Sequence, residues 1–375
     1  MGKPDGGEQR CASRGKFSGR RWLPLAFGPN NKRMKYDFPL LNNPQTLIPL
    51  MNQFNGQTFI PKATCLDAIF IPFKGNKKYI SSLLFDLKWF TGNIFLMPSS
   101  CYDFDKSALK QYPNAKILFV DDSRFVSLFN NLKTSGHKLS VADCWCWDLP
   151  IKRNYAIYFS LKERFRKILL IDDDMIGINQ TIIETGTHLL EQFVAVGSFV
   201  ENFPDTSIIG HVEIEQHVNV KCFLSGSFLF VSPQQIKSFF PKIYNEDWLF
   251  MIPMILDSKI CTAGDIHQKS YDPFHKPEKA VFQEFGEVIA EGLFALLSKS
   301  AFNLRHSKEI WNDVINNRKT LLIELLGNTK NKLQMNIIGK AISKNAELNP
   351  SDCIDYIYSL DHDTDSWCTF LKEIS

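Results

Sequence analysis

The chain has 375 residues, of which 44% are hydrophobic, 13% aromatic and 22% charged, with a formal net charge of +3. This length and mix suit a globular protein of about two domains, or one large α/β domain with additions. They exclude a mainly disordered chain, a collagen-like repeat and a disulfide-dense miniprotein.

The charge is unevenly spread. Residues 1–33 hold eight Lys or Arg against two acids, which leaves the remainder with a net charge of −3. An acidic body argues against nucleic acid as a partner. Residues 1–33 read as a disordered basic tail or an appended segment, and the folded region is expected to open at Met34. They lack the apolar core of a signal peptide, because Trp22–Phe27 is short and broken by Pro24. No run approaches the roughly 18 apolar residues of a membrane span. The nine Cys are scattered without a Cys-x-x-Cys pair, which points to reduced thiols and a cytoplasmic location.

Residues 34–64 read as an irregular arm. From Leu66 a pattern begins. Residues 66–72 form a short apolar strand, closed by Pro72-Phe-Lys-Gly75. Asn76 can cap a helix running to about Trp89. Residues 93–97 make a second strand, stopped by Pro98-Ser-Ser100, and a helix is expected around 104–111. Residues 115–120 make a third strand, and Ser123 can cap a helix to about Lys133. A helix over 151–165 carries Ile151, Tyr155, Tyr158, Leu161 and Phe165 on one stripe. Lys167–Ile171 is a fourth strand that runs straight into Asp172-Asp-Asp174. Strands alternating with helices predict an α/β fold with a mostly parallel sheet, mixed in places and covered by helices on both faces. In such sheets ligands bind beyond the carboxyl ends of the strands.

Further on, 194–200 and 222–231 read as strands, 259–266 as a third, and 245–256 and 278–300 as helices. Beyond residue 303 the chain reads as helical, with breaks at Gly327-Asn328 and Asn349-Pro350. The expected division is therefore a tail at 1–33, a catalytic domain at 34–300 and a C-terminal helical extension at 301–375.

Three acids directly after a buried strand are electrostatically costly, because each resists ionising beside the others. A hard divalent cation, Mn²⁺ or Mg²⁺, removes that cost through oxygen ligands. In an extended segment Asp172 and Asp174 point the same way and can share a target. The competing reading is a solvated acidic turn.

This arrangement resembles the Asp-x-Asp (DXD) motif of GT-A-type glycosyltransferases, the nucleotide-diphospho-sugar transferases. The resemblance spans roughly residues 66–295 and rests on five pieces in order. Pro72-Phe-Lys-Gly75 is similar to the family's first nucleotide-contacting loop, and Arg153-Asn154 to a pair on the helix before the aspartates. The aspartates follow. Ser225-Gly226-Ser227 resembles the start of the acceptor-side strand, and Asn245-Glu246-Asp247-Trp248 the Glu-Asp-Trp segment.

The resemblance implies a metal-dependent transferase that moves a sugar from a nucleoside-diphosphate donor to an acceptor hydroxyl. The acceptor could be a small molecule, a glycan or a protein, and the protein could be a homo-oligomer. It implies donor contacts from Pro72, Lys74, Ser99, Arg153, Asp172 and Asp173. The metal would be held by Asp172 and Asp174, with His267 or, second, His275 completing the shell. Asp247, or else Glu246, would be the base, with inversion at the anomeric carbon. Where the family often has a base-reading acid after the second strand, this chain has Met97-Pro98-Ser99-Ser100. Asp121-Asp122 could substitute there, but is favoured as a turn. Glu284, Glu287 and Glu291 share one helical face, which is either a site wall or a solvated face, and the solvated face is favoured. Asp361-His-Asp-Thr-Asp365 opens like a calcium loop but lacks the turn glycine and the closing Glu, and is read as a capping turn.

Two other classes compete. A haloacid-dehalogenase-type phosphohydrolase also uses Asp-x-Asp after a strand, with the first Asp as nucleophile. A non-catalytic nucleotide-sugar-binding module would keep the fold without the chemistry.

Overall fold

A computed structural model describes residues 65–74, 77–99, 109–137, 148–216 and 224–374. The helix expected near 104–111 lies largely outside these residues, as do Asn76, residues 1–64 and Ser100. Eight strands are described: β1 (Ala68–Phe73), β2 (Asn93–Pro98), β3 (Ala115–Ile117), β4 (Ile168–Ile171), β5 (Met175–Ile176), β6 (Ala195–Val200), β7 (Ser225–Val231) and β8 (Ile260–Gln268). They form one sheet in the order β3-β2-β1-β4-β7-β6-β8-β5. β1 pairs in parallel with β2 and β4, β2 with β3, and β6 with β8. β7 is antiparallel to both of its neighbours, and β5 is antiparallel to β8. The sheet is therefore mixed but mostly parallel.

Ten helices are described: α1 (Lys77–Asp86), α2 (Ser123–Asn130), α3 (Leu149–Lys162), α4 (Gln180–Leu189), α5 (Ile208–Glu215), α6 (Glu246–Leu256), α7 (Lys279–Ser298), α8 (Lys308–Asn328), α9 (Lys332–Asn345) and α10 (Pro350–Lys372). The alternation of side chains along a strand sends them to two cores. Ile69, Ile71 and Phe73 of β1 join Leu83 and Leu87 near α1 and Ile183 of α4 on one face. Phe70 and Phe95 turn the other way, onto Phe159 of α3 at 6.2 and 5.1 Å between ring centres. Helices thus cover both faces.

Several boundaries differ from the sequence reading. The cap of α2 is Asp122, whose carboxylate accepts from the Arg124 and Phe125 amides at 3.0 and 3.2 Å. Asp122 also takes the Tyr158 and Lys162 side chains, so the Asp121-Asp122 segment ties a turn to α3. Its carboxyl is held down to about 2, above all by the Tyr158 bond. α3 ends at Lys162 because Arg164 adopts φ 60°. α4, α5 and β5 have no counterpart in the expected elements. Each of the two helices starts on a side-chain cap, Asn179 and Ser207 respectively.

The C-terminal helices close on the rest of the molecule. α8 and α9 join α5 and α7 through Leu322, Ile337, Ile209 and Ala280. Inside α10, Asp363 accepts from the Lys133 and Thr134 amides at 3.0 and 2.8 Å. The Asp361–Asp365 segment is therefore mid-helix, contrary to the expected turn, and it caps a distant loop. The glutamate face also differs from expectation. Glu284, Glu287 and Glu291 are buried and surround Arg318 of α8 at 3.0–3.3 Å. The solvated reading failed because α7 is covered on that side by α8.

Candidate active site

The carboxyl ends of β1 and β4 open into a cleft of about 400 Å³. One wall is Pro72, Phe73, Lys74, Asp148, Lys152 and Asp172–Asp174. The other is Tyr271 from the segment after β8, together with Lys279, Phe282 and Gln283 from the first turn and a half of α7. Asp205 and Thr206, in the segment after β6, also line the cleft.

The antiparallel run of β7 explains why late residues reach this end. Its start meets the finish of β4, with Ile171 opposite Phe228 and the Asp172 amide donating to the Ser227 carbonyl at 2.9 Å. Ser225-Gly226-Ser227 therefore flanks the aspartates directly. Gly226 is demanded by space: a Cβ there would lie 2.6 Å from Asp247 Cβ and 2.7 Å from Arg153 Nη1.

Arg153 organises the floor. It is buried, and its Nη2 reaches both carboxylate oxygens of Asp172 at 3.0 and 3.1 Å. Its Nη1 donates to Glu246 at 3.0 Å. Burial disfavours its charge, but Asp172, Glu246 and Asp247 outweigh this and keep it firmly protonated. Next to it, Asn154 exchanges two hydrogen bonds with the Phe240 backbone, at 2.8 and 2.9 Å. The Arg-Asn pair thus clamps β4 and the approach to α6 onto α3.

Asp173 and Asp174 behave differently from Asp172. Burial, then the Asp172 charge, pushes Asp173 up to about 7, while the Lys74 amide and Lys152 pull the other way. Burial and the charges of Asp172, Asp173 and Asp205 push Asp174 up to about 8. No lysine or arginine pairs with Asp174 among the described residues. A hard divalent cation is a partner whose charge would cancel this crowding. Among the described residues no three His, Cys, Asp or Glu side chains are gathered closely enough to hold a metal alone. Any ion here would need further ligands, from water or a bound substrate.

Of the donor contacts expected from the sequence, Pro72, Lys74, Asp172 and Asp173 line the cleft. Ser99 is buried behind it, 2.9 Å from Lys152 Nζ. Arg153 also lies behind the cleft, engaged by acids. His267 sits on β8 opposite Ile176, half exposed and 3.9 Å from Glu201. His275 is exposed, with Nδ1 2.9 Å from the Asp272 carbonyl. Glu246 is buried on Arg153, and burial raises its carboxyl despite that partner. Asp247 is half-buried. Its Oδ2 accepts from the Gly226 amide at 2.7 Å and its Oδ1 from the Trp248 amide at 2.9 Å. Both oxygens of Asp172 are likewise committed, to a guanidinium, which weakens it as the nucleophile a phosphohydrolase would need.

Two residues escaped the sequence reading. Lys152 is buried, with Nζ on the Phe73 carbonyl at 3.2 Å, on Ser99 and on Asp148 at 3.0 Å. Burial lowers its pKa, against the pull of Asp148. Asp205 stands in the cleft with Oδ2 taking the Ser225 hydroxyl at 2.5 Å. A lysine on a helix and an aspartate in an irregular stretch carry no local signal of this placement.

No protein-family model matches the chain, and no curated protein matches it. Among solved structures it is similar to glucosyl-3-phosphoglycerate synthase from Mycobacterium tuberculosis, crystallised with Mn²⁺, uridine diphosphate and phosphoglyceric acid. That alignment has 14% identity over 59% of this chain and 79% of that chain, with a TM-score of 0.38. It is also similar to a proposed nucleotide-diphospho-sugar transferase from Desulfovibrio desulfuricans G20, at 9% identity over 69% and 97% of the two chains, with a TM-score of 0.32. Scores of this size carry no functional assignment. No helix among the described residues is long and apolar enough to cross a membrane.

Proposed function

We propose that the cleft is the active site of a GT-A-type glycosyltransferase that takes its sugar from a nucleoside diphosphate and depends on Mn²⁺ or Mg²⁺. The observation that carries this reading is the carboxyl group of Asp174, crowded by Asp172 and Asp173 at the end of β4 and, among the described residues, without a lysine or arginine paired to it. Asp174 and Asp173 would hold the metal, with Asp172 fixed by Arg153 as their rigid neighbour. The bound ion would neutralise charge on the departing diphosphate. Lys74, exposed at the end of β1, adds a charge-assisted contact to a phosphate. Lys152 holds the β1 and β2 ends together from below and offsets Asp173.

The acceptor hydroxyl would approach from the side of Tyr271, Lys279 and Phe282. The inverting course implied by the resemblance needs a base, and Asp247 is the residue the resemblance offers for it. In that role its carboxylate must first release the Gly226 or Trp248 amide.

The test is a thermal-shift panel of nucleoside diphosphates, each with and without Mn²⁺ or Mg²⁺. A ligand at 100 times its dissociation constant adds about 2.7 kcal/mol of stability. A shift with one diphosphate that requires metal is expected. Absence of any shift across the panel would overturn the reading.

A further inference from the structure

We infer that Asp205 is the general base that takes the proton from the acceptor hydroxyl, an assignment that rests on the transferase reading above. Three observations lead to it. Asp205 lines the same cleft as Asp172–Asp174, Tyr271 and Phe282. One of its oxygens, Oδ2, is fixed by the Ser225 hydroxyl at 2.5 Å, and among the described residues no lysine or arginine pairs with the carboxylate. Its Oδ1 therefore remains open to a hydroxyl in a carboxylate whose orientation is already set.

The other described acids of the site are placed less well: Asp148 is paired with Lys152 on the donor wall. Asp247 spends both oxygens on the Gly226 and Trp248 amides, and Glu246 is buried on Arg153. Asp172 is held at both oxygens by Arg153. Asp173 and Asp174 sit on the donor wall, where a cation would claim them. Ser225 is in turn positioned by β7, with its Oγ 2.8 Å from Ser227 Oγ and accepting from the Ser227 amide at 3.0 Å. The base is thus anchored to the same strand that meets β4.

In the step, the acceptor oxygen forms a bond to the anomeric carbon as the bond from that carbon to the diphosphate oxygen breaks. The breaking bond's electron pair leaves with the diphosphate. The hydroxyl proton passes to Asp205 Oδ1 and from there to solvent. With no acceptor bound, water can take the acceptor's place, and the same geometry hydrolyses the donor.

The probe is therefore hydrolysis of the nucleotide sugar whose diphosphate gives the largest metal-dependent thermal shift, followed by release of free nucleoside diphosphate. Asp205→Asn should slow hydrolysis by about 10² or more, the usual scale of general-base help. Its dissociation constant for the nucleoside diphosphate should stay within threefold of the parent. In Asp205→Ala, sodium formate should restore part of the lost rate, which a purely structural role would not permit. Hydrolysis by Asp205→Asn within threefold of the parent rate would overturn the assignment. So would loss of nucleoside-diphosphate binding in step with the rate, which would make Asp205 a donor ligand. In either case the parent's metal-dependent shift would still stand, so the transferase reading would survive. Absence of that shift in the parent would remove both.

Discussion

Nη2 of Arg153 lies 3.0 and 3.1 Å from the two carboxylate oxygens of Asp172, so a guanidinium on α3 orients the first acid after β4. Its other terminal nitrogen holds Glu246 at the start of α6. Arg153→Ala should strand two poorly solvated carboxylates and cost about 3–5 kcal/mol. Arg153→Lys keeps the charge but not the fork, and should fall between. Denaturant unfolding checks both. A loss under about 1 kcal/mol for the alanine variant would contradict this arrangement.

Gly226→Ala tests the same spot sterically. The new methyl carbon would meet Asp247 Cβ at 2.6 Å and Arg153 Nη1 at 2.7 Å. Either the strand or both side chains must move, at about 1–3 kcal/mol. Activity should fall further than stability, because Arg153 holds Asp172, which lines the cleft. A crystal structure of a fully active variant with Asp247 unmoved would show that the space is not limiting.

Asp174→Asn removes a carboxylate crowded by two others. The metal-free variant should melt no lower than the parent, while the metal-dependent shift produced by a nucleoside diphosphate disappears. Such a gain without function is the usual trade at a binding site. Retention of the shift would move the metal away from Asp174.

Arg318→Met leaves Glu284, Glu287 and Glu291 without their shared cation, and should cost about 3–5 kcal/mol. Changing the three glutamates to Gln in the same chain should recover much of that loss, because no uncompensated charge then remains. Thermal unfolding of the two variants separates charge from packing. Equal losses in both would show that the arginine acts through its bulk.

His211 supplies a pH effect. Burial, then the charge of Lys279, lowers its pKa from 6.5 to about 4. Between those values the unfolded chain binds the proton and the folded chain does not, so stability rises with pH there. The handicap is absent above about pH 6.5 and reaches about 3 kcal/mol below pH 4. His211→Phe should flatten the slope across that window. An unchanged slope would assign it to other groups.

The strands β1, β2 and β4 were legible as short apolar runs, because each is buried on both faces and needs no partner to be recognised. The aspartates were legible because acids after such a run are costly. Asp205 was not, since its role depends on Ser225, twenty residues later, and on β7 running antiparallel. Arg153 was read as a phosphate contact, but α3 is buried on almost every side, so its polar residues turn inward onto other protein groups. The glutamates of α7 were misread for the same reason, since the helix that covers them comes later in the chain.

The place of β7 between β4 and β6 also bears on how the protein is made. Ile168–Ile171 is entirely apolar and leaves the ribosome with its β1 side already matched. Its other edge waits for Val231, about 60 residues after Ile171. At ~5–20 residues per second, that wait is about 3–12 s. For that interval the growing chain carries an open edge of four apolar residues, the kind that recruits foreign strands. The period of greatest exposure to aggregation therefore falls during synthesis and ends when the strand bearing Ser225 and Gly226 slots into the sheet.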